Sequence, residues 1–321
     1  MQKKEIDFRS TVDLSVIIIS LSTEKYHTKD ILQTALKSMV PAMEKVSFEL
    51  ILVDNSTIND GTYEMAKKYF PDLVYLKRNK IFDFGNNNNY GLKKAKGRYV
   101  LFLNNDVKIA DNNIFEEMVK WMDRNPTVGA ATTSLVNPDG KTLQGTGGSF
   151  PDLFRVFMWM TFLDDIPYID KLVKPFHPMH SISPLGSNNE YFQSKHEQDW
   201  ITGAFYFARK KALDDSGGFD EDFNAYVEET DLSYRIKEKG WSIWYLPAWK
   251  IIHFGSLSYG NENSFIYEMK NIKLFYKKHY SKWQLPVLNL IIKLGCILRM
   301  IIFSVFKPNL AKIYAKAIKS V

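Results

Sequence analysis

The chain has 321 residues, of which 45% are hydrophobic and 24% are charged, and it contains no low-complexity tract. This composition indicates a globular protein with ample length for a buried core, built as one large domain or two coupled ones. The single cysteine, Cys296, excludes an internal disulfide and fits a reducing compartment. Residues 1–10 are charged where an export signal needs an apolar run, so we expect a cytoplasmic protein.

The net charge of +6 is unevenly distributed along the chain. Residues 269–321 hold eleven Lys and Arg and no Asp or Glu, whereas residues 1–268 hold 31 basic and 36 acidic residues. A mildly acidic body therefore carries a strongly basic tail. Such a tail suits an anionic partner, either nucleic acid or an anionic lipid surface.

The first half of the chain alternates between predicted strands and predicted helices. Apolar, β-branched runs predict strands at 14–20, 48–54, 73–76 and 98–103. The first helix is predicted at 28–40, and Pro41 should end it. A second helix is predicted at about 60–69. A third should follow an Asn-rich turn at 84–89 and end at Gly97. Repeated βα units of this kind predict an α/β fold with a mostly parallel sheet and helices on both faces.

Residues 137–199 lack this alternation. They are rich in Gly, Pro, Ser and aromatic residues without sustained periodicity, and we predict a loop region with one helix near 153–163. A stretch of this length in a compact domain is more often functional than idle, typically a lid or an acceptor-binding wall. Regular structure returns with a strand at 201–209. It continues with helices at 210–216 and 228–239 and strands at 242–246 and 250–253.

Residues 285–306 predict an amphipathic helix. At about 100° per residue, its polar residues fall within roughly 140° of arc, and the opposite side is aliphatic and aromatic. The polar residues are Asn289, Lys293, Cys296, Arg299, Ser304 and Lys307. This pattern favours a helix that lies in a membrane interface over one that spans the membrane, with packing against the protein core as the alternative.

The basic surroundings of this helix favour the membrane. Its lysines are interleaved with aliphatic residues rather than with stacking aromatics, so we expect a lipid surface and no nucleic acid. We therefore divide the chain into residues 1–265, which include the loop region 137–199, and a basic, membrane-associating helical tail at 266–321.

Polar residues follow two of the predicted buried strands directly. Asp54 and Ser56 end the second strand, and Asn104, Asn105 and Asp106 follow the fourth. Ligands of such sheets lie outside the carboxyl ends of the strands, so we place the site there. Asp106 can bind a hard cation such as Mg²⁺ or Mn²⁺, and Asp54 can bind a base or ribose, although ordinary turn chemistry explains either residue equally well.

His253 ends another predicted strand, where it can meet Asp106 as a second metal ligand, or serve as a structural histidine. Glu228, Glu229 and Asp231 begin a predicted helix, where they can supply a base or simply complement the helix dipole. Neither a G-x-G-x-x-G nor a G-x-x-x-x-G-K-[ST] motif is present, so dinucleotide and P-loop cradles are not supported.

Several ordered motifs together resemble glycosyltransferase family 2 over about residues 12–258. They are SVIIIS, VDNST, FGNNNNYG, LFLNNDV, DWITGAF, GGFDEDF, YVEETDLSYR and HFGSLS. The sequence is similar to bacterial rhamnosyltransferase-like and galactofuranosyltransferase-like members that build surface polysaccharides. The resemblance implies a GT-A fold, the Rossmann-like fold of nucleotide-diphospho-sugar transferases, with inverting chemistry and a divalent cation.

The resemblance also implies residue roles. Asp106 would be the metal-binding aspartate of a D-x-D type motif, His253 an additional metal ligand, and Glu229 the catalytic base. The donor-binding set consists of Asp54, Ser56, Asn89, Asn104, Asn105, Trp200 and Gly203. Within it, Asp54 would bind the nucleobase, and Trp200 and Gly203 would line the sugar or acceptor pocket.

The sequence departs from the family pattern at three places. Residues 20–22 read Ser-Leu-Ser where relatives usually show a Tyr-Asn pair, which affects the donor-edge contacts. Asn104 replaces an aspartate of the stricter D-x-D motif, so metal binding depends on Asp106. Glu229 replaces the commoner Asp, which lengthens the base by one methylene and keeps its chemistry.

These observations predict an enzyme that moves a sugar from a nucleotide-diphosphate donor, such as dTDP-rhamnose or a UDP-sugar, to a lipid-linked or polysaccharide acceptor. We expect it on the cytoplasmic face of the membrane as a peripheral protein. A non-catalytic sugar-nucleotide-binding subunit with the same fold is the alternative. The joint presence of Asp106, Glu229 and His253 favours the enzyme.

Overall fold

A computed structural model describes residues 12–166, 169, 173–178, 190–255 and 264–320. The predictions for the N-terminal segment 1–10, for parts of the loop region 137–199 and for the end of the HFGSLS motif lie outside these residues. The strands are β1 (Leu14–Ser20), β2 (Phe48–Asp54), β3 (Val74–Lys77), β4 (Tyr99–Leu103), β5 (Val107–Ile109), β6 (Val128–Val136), β7 (Gly147–Gly148), β8 (His196–Glu197), β9 (Trp200–Ile201), β10 (Phe205–Arg209) and β11 (Ser242–His253). The α-helices are α1 (Lys29–Met43), α2 (Thr62–Tyr69), α3 (Phe84–Leu92), α4 (Ile114–Arg124), α5 (Leu153–Thr161), α6 (Lys210–Ser216), α7 (Glu228–Glu238), α8 (Ser264–His279), α9 (Gln284–Phe306) and α10 (Pro308–Ser320).

Nine of the described strands form one sheet. Its order is β3-β2-β1-β4-β10-β6-β11-β5, with β8 beside β11. The first four strands are mutually parallel, as are β6 and β11, while β10 runs antiparallel between β4 and β6. The mostly parallel α/β sheet predicted from the sequence is confirmed, and one reversed strand joins its two parallel groups.

The continuous apolar runs of β1 and β2 follow from burial on both faces of the sheet. Along β1, Val16 and Ile18 pack into one hydrophobic cluster, and Ile17 between them packs into another on the opposite face. Leu52 and Val53 of β2 divide in the same way. Because successive strand residues point to opposite faces, a strand covered on both sides needs apolar residues at every position.

The register of the sheet brings the polar ends of several strands to one edge. Ser20 at the end of β1 pairs with Asp54 at the end of β2, and Leu103 ends β4 beside them. β10 begins opposite Leu103 because it runs antiparallel, so the residues before Phe205 lie at the same edge. His253 at the end of β11 pairs with Val107 of β5. Chain segments far apart in sequence therefore meet at the edge that the sequence predicted for the site.

Four predicted boundaries were wrong. The predicted strand at 201–209 divides into β9, which ends at Ile201, and β10, which begins at Phe205, because a turn at Gly203 and Ala204 separates them. Pro41 lies inside α1, which continues to Met43, because a missing N–H in the last turn costs only one hydrogen bond. The Asn-rich segment is not a turn preceding a helix but α3 itself, which ends at Leu92 rather than at Gly97. The two predicted strands at 242–246 and 250–253 form the single strand β11, with a register shift where they join.

Hydrogen bonds from asparagine side chains explain why the Asn-rich segment forms the helix α3 rather than a turn. Asn88 donates to Phe84 O within the helix, and Asn87 donates to Phe82 O just before it. Asn89 exchanges two hydrogen bonds with the backbone of Phe219, 130 residues away. These bonds offset the weak helix propensity of asparagine.

The C-terminal helices α8, α9 and α10 pack with α5 around a third hydrophobic cluster. Within the described residues, α9 is the one helix long and apolar enough to cross a membrane by length and composition. Its predicted polar arc is divided, because Cys296 and Arg299 are buried while Lys293 and Ser304 are exposed. Arg299 donates to the carbonyls of Trp159 and Met160 at the end of α5, a helix terminus that attracts positive charge.

An apolar stripe of α9 is exposed instead. The stripe consists of Val287, Leu290, Leu294, Ile297, Ile301 and Val305, with Trp283 just before it. Leu290, Ile301 and Val305 are 57%, 59% and 75% exposed. At 100° per residue the stripe occupies an arc of roughly 80° along the whole helix. The helix therefore packs on the protein through one side and presents an aliphatic surface on the other.

Candidate active site

The carboxylate at the end of β2 is held by its own strand and by β3. Asp54 accepts hydrogen bonds from Ser56 N at 2.9 Å, from the Tyr75 hydroxyl and from Lys77 Nζ at 2.9 Å. Burial alone would raise the pKa of Asp54, but these hydrogen bonds outweigh it and lower the pKa below the usual value. Ser56 completes the turn by accepting from Ser22 N. A fixed negative charge thus stands at the carboxyl end of β2.

Asp106 and His253 face each other across the ends of β4 and β11. Their closest atoms, Asp106 Oδ1 and His253 Nε2, are 3.3 Å apart. Phe254 N donates to Asp106 O at 2.9 Å and locks the two chain segments together. The convergence predicted from the sequence is confirmed.

These two facing atoms fit a shared cation. Both are buried, and neither makes a hydrogen bond with the residues that the structure describes. The other ring nitrogen, His253 Nδ1, lies 2.7 Å from Gln144 Oε1, while Gln144 Nε2 donates to Asn137 Oδ1 and to His253 O. Gln144 therefore accepts the Nδ1 proton and leaves the Nε2 lone pair free, as a metal-binding histidine requires. In the described part of the chain, no third His, Cys, Asp or Glu joins this pair.

Two adjacent glutamates begin α7. Burial first, and then the charge of Glu229, raise the pKa of Glu228 well above its usual range. Burial also raises the pKa of Glu229, although a hydrogen bond from the backbone N–H of Gly203 opposes this. Both carboxyl groups therefore keep a proton to a higher pH than an exposed glutamate does. Buried carboxyl groups with perturbed pKa values are common at acid–base sites.

Asp231, the third acidic residue of this helix, has a structural environment. It is fully buried and bonded to Arg235 at 2.6 Å and to His279 Nε2 at 2.7 Å. Arg235 lies one turn further along the same helix and pairs with Asp231 rather than with either glutamate. Its charge is satisfied within the protein, which leaves the two glutamates as the candidates for chemistry.

Gly203 links the acidic helix to the sheet. It lies two residues before β10, and a Cβ added at this position would lie 3.1 Å from the Phe84 ring. Trp200 is buried, with its indole N–H directed at Ser149 O and Phe176 O and its ring packed against His177. It therefore builds the wall of the loop region next to Gly203.

The remaining predicted donor residues differ in how they are placed. Asn105 is buried and donates to Ile19 O at 2.8 Å, so it ties the loop after β4 to β1. Asn104 N donates to Ala204 O at 3.1 Å, which joins the same loop to the start of β10. Asn89 is not brought into this set, because its amide is bonded to the backbone of Phe219 and to Glu221.

Sequence reasoning missed several residues that support the site. Tyr75 and Lys77 lie two residues apart on β3, so their side chains lie on the same face of the sheet. Once β3 was paired with β2, both could have been identified as partners of Asp54. Gln144 lies in the aperiodic loop region, where no local pattern marks its contact with His253. Asn271 of α8, which bonds to the turn before Glu228, carries no sequence signal either.

Comparison with known proteins agrees with this geometry. The family model "Glycosyl transferase family 2" matches residues 15–180. The O-antigen biosynthesis protein RfbC of Myxococcus xanthus is 27% identical over 232 residues, which are 71% of this chain but only 16% of that protein's length. The N-acetylglucosaminyl-diphospho-decaprenol L-rhamnosyltransferase of Mycobacterium tuberculosis is 24% identical over 78% of this chain and 81% of its own.

A solved structure shares the fold. The mannosyltransferase of Pyrobaculum calidifontis, in complex with GDP-Man and Mn²⁺, superimposes with a TM-score of 0.56 at 14% sequence identity. The alignment covers 97% of this chain and 86% of that one. The fold is therefore that of the GT-A transferases, with a C-terminal helical extension.

Proposed function

Because the chain belongs to glycosyltransferase family 2, we propose that it is an inverting, metal-dependent transferase of a sugar from a nucleotide-diphosphate donor to a lipid-linked or polysaccharide acceptor. A rhamnosyl donor such as dTDP-rhamnose is the first choice, since the relative from M. tuberculosis is named a rhamnosyltransferase, and UDP-sugars are the second. The product would be a cell-surface glycan or its lipid-linked precursor.

One observation carries this proposal. Two buried ligand atoms, Asp106 Oδ1 and His253 Nε2, face each other 3.3 Å apart, and neither makes a hydrogen bond within the described part of the chain. Their oxygen and nitrogen donors fit Mn²⁺ or Mg²⁺. When bound, such a cation neutralises the negative charge that develops on a departing diphosphate.

The remaining chemistry belongs to the protein's own residues. Asp54, fixed as a carboxylate, accepts hydrogen bonds from the nucleobase, while Ser56 and Asn105 shape the floor of the donor site. Glu229 takes the proton of the acceptor hydroxyl as that oxygen attacks the anomeric carbon from the side opposite the leaving diphosphate. A hydrogen bond from the backbone N–H of Gly203 orients Glu229 and opposes the rise in its pKa that burial causes. A single displacement of this kind inverts the anomeric configuration.

We further place the enzyme on the cytoplasmic face of a membrane. The exposed stripe of α9 supplies the apolar surface that an interfacial helix inserts among lipid chains. Eleven Lys and Arg and no acidic residue in 269–321 supply attraction to anionic headgroups. This location would bring the site to a lipid-linked acceptor.

Donor hydrolysis across a panel of nucleotide sugars, with and without Mn²⁺, tests the enzymatic proposal. We expect hydrolysis of one donor, its loss in EDTA and its return when metal is added. Asp106→Ala should abolish the metal-dependent rate, whereas Asp139→Asn, which alters an exposed carboxylate in a surface turn, should leave it unchanged. Metal-independent turnover would refute the assigned cation site. Tight nucleotide-sugar binding without turnover on any acceptor would instead support the non-catalytic subunit.

A further inference from the structure

The acidic helix α7 begins from a strained turn. Tyr226 and Val227, the two residues directly before Glu228, have φ angles of 66° and 71°. This left-handed region is sterically unfavourable for residues with a side chain, most of all for a β-branched valine. Val227 is the N-cap of α7 and makes no side-chain capping bond. Left to itself, the turn would relax to right-handed angles and redirect the first turn of the helix.

One side chain from the C-terminal helices holds this turn. Asn271 of α8 is buried, and its Nδ2 donates to Ala225 O at 2.6 Å and to Tyr226 O at 2.9 Å. The two acceptors are the carbonyls on either side of Tyr226. A single amide therefore fixes the orientation of two consecutive peptide groups, and these orientations define the left-handed turn. Strained backbone that persists because surrounding contacts fix it is often found at functional sites.

Other polar residues of α8 reach the same region from one side of the helix. Glu268 is bonded to His177 at 2.8 Å, next to the Trp200 wall, and His279 is bonded to Asp231 of α7 at 2.7 Å. The positions 268, 271 and 279, together with Phe275, which packs on Tyr234, are spaced by three, four and four residues. This spacing places them on one helical face. The C-terminal helix thus braces both α7 and the loop region.

We propose that Asn271 is a positioning residue for the catalytic carboxylate. By holding the turn at 225–227 in its left-handed form, its amide directs the first turn of α7 so that Glu229 meets Gly203 N–H and the reacting hydroxyl. This inference rests on the proposed role of Glu229 as the base. Through Asn271, the basic C-terminal extension helps to build the active site in addition to its proposed binding to lipid.

Steady-state kinetics of Asn271→Ala test this role. The variant should lower kcat at least tenfold while the donor KM stays within twofold, because Asp54 is held by Ser56, Tyr75 and Lys77 and not by Asn271. Asn271→Asp, which has the same shape but no N–H to donate, should behave alike. Adding Tyr226→Gly to Asn271→Ala should restore part of kcat, because glycine adopts the left-handed turn without strain.

His279→Ala is the matched control. It removes a buried hydrogen bond between the same two helices, two turns along α8 from Asn271, and leaves both the turn at 225–227 and the pairing of Asp231 with Arg235 intact. It should lower thermal stability and leave kcat unchanged. If His279→Ala lowers kcat as much as Asn271→Ala, the effect is general loosening and the positioning role is refuted.

Amide hydrogen exchange over residues 224–230 separates this inference from the proposed function. Asn271→Ala should accelerate exchange there, and His279→Ala should not. Unchanged exchange, or faster exchange with an unchanged kcat, overturns the inference. If instead Glu229→Gln transfers sugar normally, the base assignment fails, and the exchange result still decides whether Asn271 holds the turn.

Discussion

The donor edge of the sheet and the base at the start of α7 are built in different ways. At the donor edge, strand register places Asp54 beside β1, and its hydrogen-bond partners lie within 23 residues in sequence. At α7, the supporting bonds come from α8, more than 40 residues further along the chain. The geometry of the donor edge is fixed by the many backbone hydrogen bonds between its strands. The geometry at the start of α7 depends on single side chains.

This difference has a consequence for mutation. A strand ladder tolerates the loss of one side chain because the neighbouring pairs keep the register. The peptide groups on either side of Tyr226 are both held by the amide of Asn271, so loss of that one side chain releases both. Substitutions far from the reaction should therefore impair the base more readily than the donor edge. The following predictions test that contrast, from the largest expected effect to the smallest.

Glu229→Gln should have the largest effect. Glutamine keeps the size of the side chain but cannot accept the acceptor proton, so transfer should fall by about 10²–10⁴-fold while donor binding persists. Transfer rates and nucleotide-sugar titrations measure the two parts separately. Glu238→Gln, at the exposed far end of the same helix, is the control and should be silent. A normal rate for Glu229→Gln together with a loss for Glu228→Gln would move the role to that neighbour.

The two regions should also respond differently to pH. A base acts only when unprotonated, and the pKa of Glu229 is raised, so kcat should fall on acidification at a higher pH than an ordinary glutamate allows. Below that pKa the fall should be about tenfold per pH unit. The pKa of Asp54 is lowered, so it stays ionised throughout this range and the donor KM should remain flat. A donor KM that rises together with the loss of kcat would contradict the separation of the two sites.

The same contrast explains what the sequence could predict. β1, β2 and β4 are continuous apolar runs that end in polar residues, so their pairing can be predicted from hydrophobic periodicity. The meeting of Asp106 with His253 can be predicted because ligands bind at the carboxyl ends of strands. No such rule predicts the partner of Asn271 or Gln144, since one hydrogen bond between distant segments leaves no periodic trace. The Asn-rich helix α3 was missed for a related reason. Its stability comes from bonds such as Asn89 to Phe219, which override local propensity.

Arg299 shows the limit of amphipathic patterns. A helical wheel separates polar from apolar residues, but it does not state which side faces the protein. Here α9 buries Arg299 against aromatic rings and the carbonyls at the end of α5, while its aliphatic stripe is exposed. The apolar stripe predicted from the sequence is exposed, whereas the predicted polar arc is divided between the buried Cys296 and Arg299 and the exposed Lys293 and Ser304.

The last prediction concerns that stripe and has the smallest expected effect. Leu290→Asp should weaken co-sedimentation with anionic vesicles by at least about tenfold, since burying one leucine contributes about 1.5–3 kcal/mol and a charge opposes insertion. High salt should weaken binding as well, because added ions screen the lysines. Ile81→Asp, at an exposed apolar residue of the donor half, should bind vesicles like the unaltered chain.

Point substitution is the sharper test here because deletion of α9 would also remove Leu288, Ile292 and Phe303 from the cluster around α8. Leu290→Asp leaves that buried side intact, so donor hydrolysis should be unchanged. Equal sedimentation of Leu290→Asp and the unaltered chain would contradict the lipid surface. A concentration-dependent dimer without lipid, lost in the variant, would assign the stripe to a second copy of the chain. Retained hydrolysis with lost sedimentation would show that attachment to the membrane and assembly of the base use opposite sides of the same helical extension.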